Sequence, residues 1–109
     1  MAKSNALFVY VTCPNKKIAK DMAEVAIKKR LAACANIIAG MSSLYFWKNR
    51  IERSKEVVLI FKTTQKMYLK LEKQICELHP YECPCVVALP IVFAEKKYLK
   101  WINKNVEEM

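Results

Sequence analysis

Glycine and histidine are almost missing from this chain: Gly40 and His79 are the only ones. A single glycine leaves no glycine-rich loop to cradle a phosphate and no Gly-x-Ser-x-Gly nucleophile elbow. A single histidine without a paired Ser or Asp motif makes no catalytic triad, so no enzyme chemistry is expected. Acidic residues are also scarce, 10 against 19 basic ones, for a formal charge of +9. No apolar run approaches the roughly 20 residues that a membrane helix requires. The start, Met1-Ala2-Lys3-Ser4-Asn5, lacks the apolar region and small-residue cleavage site of a secretory signal, so a cytoplasmic location is expected. The five cysteines are odd in number and are read as thiols rather than a disulfide framework. No linker, internal repeat or low-complexity segment breaks residues 1–109, which form one domain.

Positive charge raises nucleic acid or acidic ligands as partners. It is mostly lysine spread over helix-like segments, as in Lys16-Lys17 and Lys96-Lys97, without an arginine cluster. A solvated lysine surface accounts for it, and neither nucleic acid nor a membrane is expected as a partner.

What is present is apolar: 54% of the residues are hydrophobic, enough for one core. The organising stretch is Cys34–Thr63, read as a two-stranded ribbon with arms Ala35–Trp47 and Ile51–Thr63 and a tip Lys48-Asn49-Arg50. Asn49 tolerates the positive φ of such a tip. At roughly 3.3 Å per residue each arm would reach about 43 Å, longer than the roughly 35 Å body of a domain this size. The ribbon must bend or project, and its far end, Leu44-Tyr45-Phe46-Trp47, then needs another chain to cover it. Gly40, mid-arm, marks a bulge or bend.

Before the ribbon, Ala6–Thr12 reads as a buried strand. Asn15 caps a helix running to about Arg30, with Ile18, Met22, Val25 and Ala26 as its apolar stripe. After the ribbon, Thr64 can cap a second helix ending before Pro80, its buried side formed by Tyr68, Leu71, Ile75 and Leu78. Val86–Phe93 is a fourth strand, with Pro90 indicating an edge or a bulge. Glu95–Val106 forms a closing helix. The order βαββαβ plus a terminal helix predicts an α+β, ferredoxin-like sandwich with an extended ribbon. Helices cover one face only, yet the first three strands are apolar on both. An RNA-recognition domain shares this order, but Glu56-Val57-Val58-Leu59-Ile60-Phe61-Lys62 lacks its glycine and stacking pattern.

The densest chemical cluster is His79-Pro80-Tyr81-Glu82-Cys83-Pro84-Cys85. Pro84 favours an extended Cys83, which puts Cys83 and Cys85 on one side. Two thiolates and an imidazole suit copper(I) or zinc, without an obligatory cofactor being implied. The plainer reading makes the cysteines small buried hydrophobes and has His79 cap the helix end. Cys13, at the end of the first strand, is a weaker fourth candidate because the first and fourth strands are neighbours in this fold. Cys34 and Cys76 read as core residues. Tyr45, Phe46 and Trp47 read as an intersubunit contact or a ligand-stacking wall. Lys62, at a strand end, is either a point charge for a carboxylate or phosphate or an ordinary exposed lysine.

Several motifs together resemble the CutA divalent-cation tolerance family. They are Leu31-Ala32-Ala33-Cys34-Ala35-Asn36-Ile37-Ile38, Ser43-Leu44-Tyr45-Phe46-Trp47 with Ile51-Glu52, Lys62-Thr63, His79-Pro80-Tyr81-Glu82, Ala88-Leu89-Pro90-Ile91 and Tyr98-Leu99-Lys100-Trp101-Ile102. The resemblance runs from about residue 7 to 103. It implies a trimer built like the PII signalling proteins, with ribbons interlocking around a three-fold axis. It also implies a cytosolic, non-catalytic role in tolerance of copper and other divalent metals. The alternatives are a PII-like sensor of a small anionic metabolite in intersubunit clefts, near Lys62, Tyr81 and Glu82, or a protein-interaction scaffold. The chain departs from the family pattern where metal is concerned. Val11 stands at the family's cysteine near the end of the first strand, Leu78 precedes a single His79, and Cys83 and Cys85 replace an aliphatic and an acidic residue.

Overall fold

Alternation along the strands decides which side of the sheet meets the helices. The computed structural model describes residues 2–106, with side chains from Ser4 onward. Its elements are β1 Ala2–Lys3, β2 Ala6–Cys13, α1 Lys16–Lys28, β3 Cys34–Trp47, β4 Arg50–Thr64, a 3-10 turn Gln65–Met67, α2 Tyr68–Leu78, β5 Val86–Pro90, β6 Phe93–Ala94 and α3 Lys96–Asn105. Four strands form an antiparallel sheet in the order β3-β4-β2-β5, which is the expected ferredoxin-like arrangement. One face carries Val9, Val11, Cys13, Val57, Leu59 and Phe61 into a core closed by Ala19, Met22 and Ala26 of α1 and Leu71 and Ile75 of α2. On the opposite face Val87, Leu89 and Ile38 lie under neither α1 nor α2 and are exposed, whereas Ala6, Glu56, Val58 and Thr64 of the same face are buried.

Asn15 starts α1 as its sequence predicts, its Oδ1 accepting the Ile18 N–H at 2.9 Å. The helix stops at Lys28, short of Arg30, because Arg30 takes the left-handed conformation, φ 59. Arg30 N–H donates to Ile27 and Leu31 N–H to Ala26, the paired bonds of a Schellman stop that glycine usually makes. In a chain so poor in glycine an arginine does it, and its guanidinium finds a second use. Arg30 Nη2 donates to the Lys104 carbonyl at 3.0 Å and Nε to the Asn105 carbonyl at 3.5 Å, closing the C-terminal end of α3.

The ribbon is long and bent. Its bulge falls at Gly40, φ 87, where the register jumps from Ile38↔Val58 to Met41↔Glu56. The tip is tighter than expected: Trp47 pairs with Arg50, leaving only Lys48 and Asn49, at φ 52 and 65, as a two-residue turn. Two successive left-handed residues match the twist of the strands, so Arg50 belongs to the arm and not the loop. The molecule measures 45 × 27 × 22 Å, drawn out along one axis as the ribbon argument requires.

Three other expectations are corrected. The last strand ends at Pro90, which has no N–H for the ladder, and Phe93–Ala94 pairs instead with Ala2–Lys3 as a separate ribbon. Thr64 makes no side-chain cap; a 3-10 turn intervenes and α2 begins at Tyr68. Leu78 and Cys76 lie on the exposed side of α2 and Cys34 is only half-buried, so neither cysteine is a core residue; Cys13 is.

Candidate functional site

The helix-free face carries a cleft, and the Gly40 bulge aims its wall. Glu56 is two residues from Val58, so both share that face with Tyr10 and Thr12, the partners of Ile60 and Val58. Because β3 gains one residue at Gly40, Met41 pairs with Glu56, and Ser43, Tyr45 and Trp47 follow on the same side. Without the extra residue Leu44 and Phe46 would take that side. The ribbon thus curls its aromatic edge over Glu56, and the segment from Pro80 to Cys85 closes the other flank. The open cleft so formed has a volume of about 680 Å³.

The charge of this cleft opposes that of the chain. Glu56 and Glu82 are its only charged lining residues, with no lysine, arginine or histidine among them, although the whole chain carries +9. Glu56 is 7% exposed. Its Oε2 accepts from the Tyr81 hydroxyl at 3.0 Å, and no basic group among the described residues pairs with it. Its neighbours register this. Burial, then the hydrogen bond to Glu56 and its charge, push the Tyr81 hydroxyl up to about 12. Burial first and Glu56 second raise the Cys13 thiol to about 11, and the same two causes raise the Cys85 thiol. Only the Glu56 share of these shifts, the smaller one, speaks for a positive guest, since burial resists a charge of either sign.

His79 is placed as a brace. The ring is buried, Nε2 donating to the Thr12 carbonyl at 2.8 Å while Nδ1 accepts the Tyr81 N–H at 3.2 Å. These bonds tie the end of α2 to the end of β2 and set Tyr81 against Glu56. Both nitrogens are thereby occupied, which removes His79 from the expected set with Cys83 and Cys85. Among the described residues no group of three or more His, Cys, Asp and Glu side chains is arranged to hold a metal ion. Cys83, exposed, and Cys85, half-buried, both line the cleft, whereas Cys13 is sealed in the core on the other face of the sheet.

The remaining candidates divide. Tyr45, Trp47, Tyr81 and Glu82 line the cleft; Phe46 points away and is 75% exposed. Lys62 lies on the same face but about 20 Å along β4 from Glu56. Its Nζ donates to Asn36 Oδ1 at 2.8 Å, and Cys34 Sγ is 4.0 Å away. One chain therefore does not bring Lys62 to Tyr81 and Glu82. Sequence reading missed Glu56, Met41, Tyr10 and Thr12 as site residues. The signal for Glu56 was its place: an acid opening the apolar run Val57–Phe61, in register with the helix-free face.

Fold and cleft together define a ferredoxin-like α+β protein with a ribbon-walled cleft on its uncovered sheet face. The sequence pattern of the CutA1 divalent ion tolerance protein family matches residues 7–105. The chain is 38% identical over 97 residues to the divalent-cation tolerance protein CutA of Thermus thermophilus, covering 89% of this chain and 94% of that one. It is 40% identical over 100 residues to protein CutA of Mus musculus, covering 92% of this chain but 56% of the mouse protein, so it spans little more than half of that relative. The crystal structure of CutA1 from Oryza sativa superposes with a TM-score of 0.93 at 36% identity, over 98% of both chains. The chain belongs to the CutA1 divalent ion tolerance protein family.

Proposed function

We propose that this chain serves divalent-cation tolerance as a non-enzymatic, cytosolic homotrimer that takes copper directly at its acidic cleft. One observation carries the reading: in a chain of charge +9, the cleft has only Glu56 and Glu82 as charged lining, and two thiols, Cys83 and Cys85, line it with them. Two soft thiolates match copper(I), which is stable in two-coordinate form. Zinc, which takes four ligands, finds no set of three among the described residues, and is the weaker candidate. The family description and the matching Thermus name support tolerance as the role. The acidic lining weighs against the anionic-metabolite sensor, since an anion there would need a cation supplied by another copy.

Trimer formation is supported by what the single chain leaves bare. Phe46, Leu44 and Ile51 are 75%, 64% and 59% exposed at the ribbon end, and Val87 and Leu89 lie open on the edge strand β5. Such a surface on a soluble protein calls for a partner. Five unpaired thiols accord with a reducing compartment.

The test is native mass spectrometry of the reduced protein, titrated anaerobically with copper(I) and with zinc. A trimer that takes one copper per chain, and loses it in Cys83→Ser/Cys85→Ser, supports the reading. A trimer that stays copper-free removes direct binding and leaves a tolerance role exerted through partners. A monomer that remains intact at every concentration overturns the assembly, and Trp47→Ala is expected to weaken that assembly.

A further inference from the structure

Of the five unpaired thiols, Cys83 and Cys85 alone share a segment, with Pro84 between them. Both thiols and the backbone that joins them belong to one chain, so a bond between them asks nothing of a second copy. A disulfide needs Cα atoms about 4.4–6.8 Å apart. With about 3.8 Å between successive Cα atoms, residues two apart reach that range through a modest bend. The bend is available. α2 ends at Leu78 and β5 begins at Val86, so residues 83–85 are tied into neither helix nor strand, and the chain is already bent through residues 81–83. The two thiols are also unequal. Cys83 is exposed, whereas Cys85 is half-buried and hydrogen-bonded by the Thr12 side chain at the end of β2. One thiol therefore meets solvent and the other stands behind it, the order that stepwise thiol exchange uses. Cys76, exposed on α2, has no second cysteine on its helix, and Cys13 is sealed in the core.

We propose that Cys83 and Cys85 form a redox pair, oxidised by small-molecule disulfides to a disulfide between them and returned to two thiols by small thiols. In the forward direction the Cys83 thiolate attacks one sulfur of the external disulfide and displaces the first thiolate. Cys85 then attacks the Cys83 sulfur and displaces the second. The two cysteines lose two electrons and two protons, and the external disulfide is reduced to two thiols. A ring closed over one intervening residue is strained, and strained disulfides are the easily reduced ones, so the bond acts as a switch rather than a staple. The consequence for copper rests on the function proposed above. Disulfide formation removes both thiolate ligands, so copper(I) is held by the reduced pair only.

Incubation of the assembled, copper-free protein with oxidised glutathione tests this, read by mass after thiol blocking and cleavage following glutamate. The fragment of residues 83–95 contains both cysteines and no other. It is expected to emerge unblocked and about 2 Da lighter, and to regain two blockable thiols after dithiothreitol. Cys76 is expected to stop at a glutathione adduct, since nothing beside it resolves one. Cys85→Ser is expected to leave the same adduct trapped on Cys83. A fragment that keeps two blockable thiols in the assembled protein, a stable adduct on it in the unaltered chain, or a Cys83 bond to a second chain overturns the proposal. Copper(I) added first is expected to prevent the bond. Where the protein takes no copper and the bond still forms, the copper reading fails and the redox pair stands.

Discussion

The two halves of the β3–β4 ribbon are written in the same apolar alphabet and meet opposite fates. Toward its base, Val57, Leu59 and Phe61 are buried in the core, with Leu59 and Phe61 at 0% exposure. Beyond the Gly40 bulge, Leu44, Phe46 and Ile51 stand in solvent. Hydrophobicity alone does not make a core; position relative to the helices does. The base lies under α1 and α2, while the outer half has left the sheet's footprint and covers only the cleft. The difference also divides the roles: the base holds the fold, and the outer half is free to contact a ligand or another chain.

Replacing one phenylalanine in each half breaks this comparison most sharply. Phe61→Ala is expected to lower unfolding free energy by about 3–5 kcal/mol, the usual effect of emptying a packed aromatic site. Phe46→Ala is expected to change it by less than about 0.5 kcal/mol in dilute, unassembled chain, as for other exposed positions. Urea titration measures both. Equal losses would mean that the outer half is already part of the chain's own core. Next in size is His79→Ala, at the junction that keeps the cleft's flank in place. It leaves the Thr12 carbonyl and the Tyr81 N–H without their partner and is expected to destabilise by about 2 kcal/mol, within the range for lost buried hydrogen bonds. A variant as stable as the original would show that water replaces the ring.

Gly40→Ala addresses the boundary itself. A Cβ there meets nothing within 4 Å, so no clash opposes it; the resistance is the backbone at φ 87. The expected loss is about 1–2 kcal/mol, the penalty for an L-residue in a left-handed conformation. If the bulge shifts instead of bearing the strain, Tyr45 and Trp47 exchange faces with Leu44 and Phe46.

Local signals were legible in the sequence wherever one residue type enforces one geometry. Asn15 named its cap, Gly40 its bulge and Pro90 an edge position, because each restricts backbone or hydrogen bonding by itself, although the reading carried the strand past Pro90 to Phe93. The strand order followed from the alternation of helices and strands. The cleft was not legible, since it depends on which face of β4 Glu56 occupies once β3 has gained a residue, and on Pro80–Cys85 folding back against β2. Proximity in sequence also misled: His79 lies close to Cys83 and Cys85 along the chain, yet its ring is turned inward to Thr12. Arg30 shows a further limit, because propensity favours glycine at its left-handed position and only the end of α3, distant in sequence, shows what the arginine is for.

The smallest effect at neutral pH belongs to Cys13, which ends β2 opposite Val57 at the edge of the buried half. Cys13→Ala removes a buried sulfur and is expected to lower stability by about 1 kcal/mol near pH 7, as for a small core truncation. The informative reading comes at alkaline pH. The thiol is raised from 9.0 to about 11, by burial first and Glu56 second. Below pH 9 both folded and unfolded chains keep the proton, and its contribution to stability is complete. Between 9 and 11 the unfolded chain releases it while the folded chain retains it, so the original protein loses stability that the alanine variant never had. The gap between the two is therefore expected to narrow as pH rises through that window, followed by thermal unfolding at pH steps from 8 to 11. A constant gap would mean that the sulfur ionises equally readily in both states. Neither burial nor the Glu56 charge would then bear on the thiol, and the negative charge of the cleft would lose one of its witnesses.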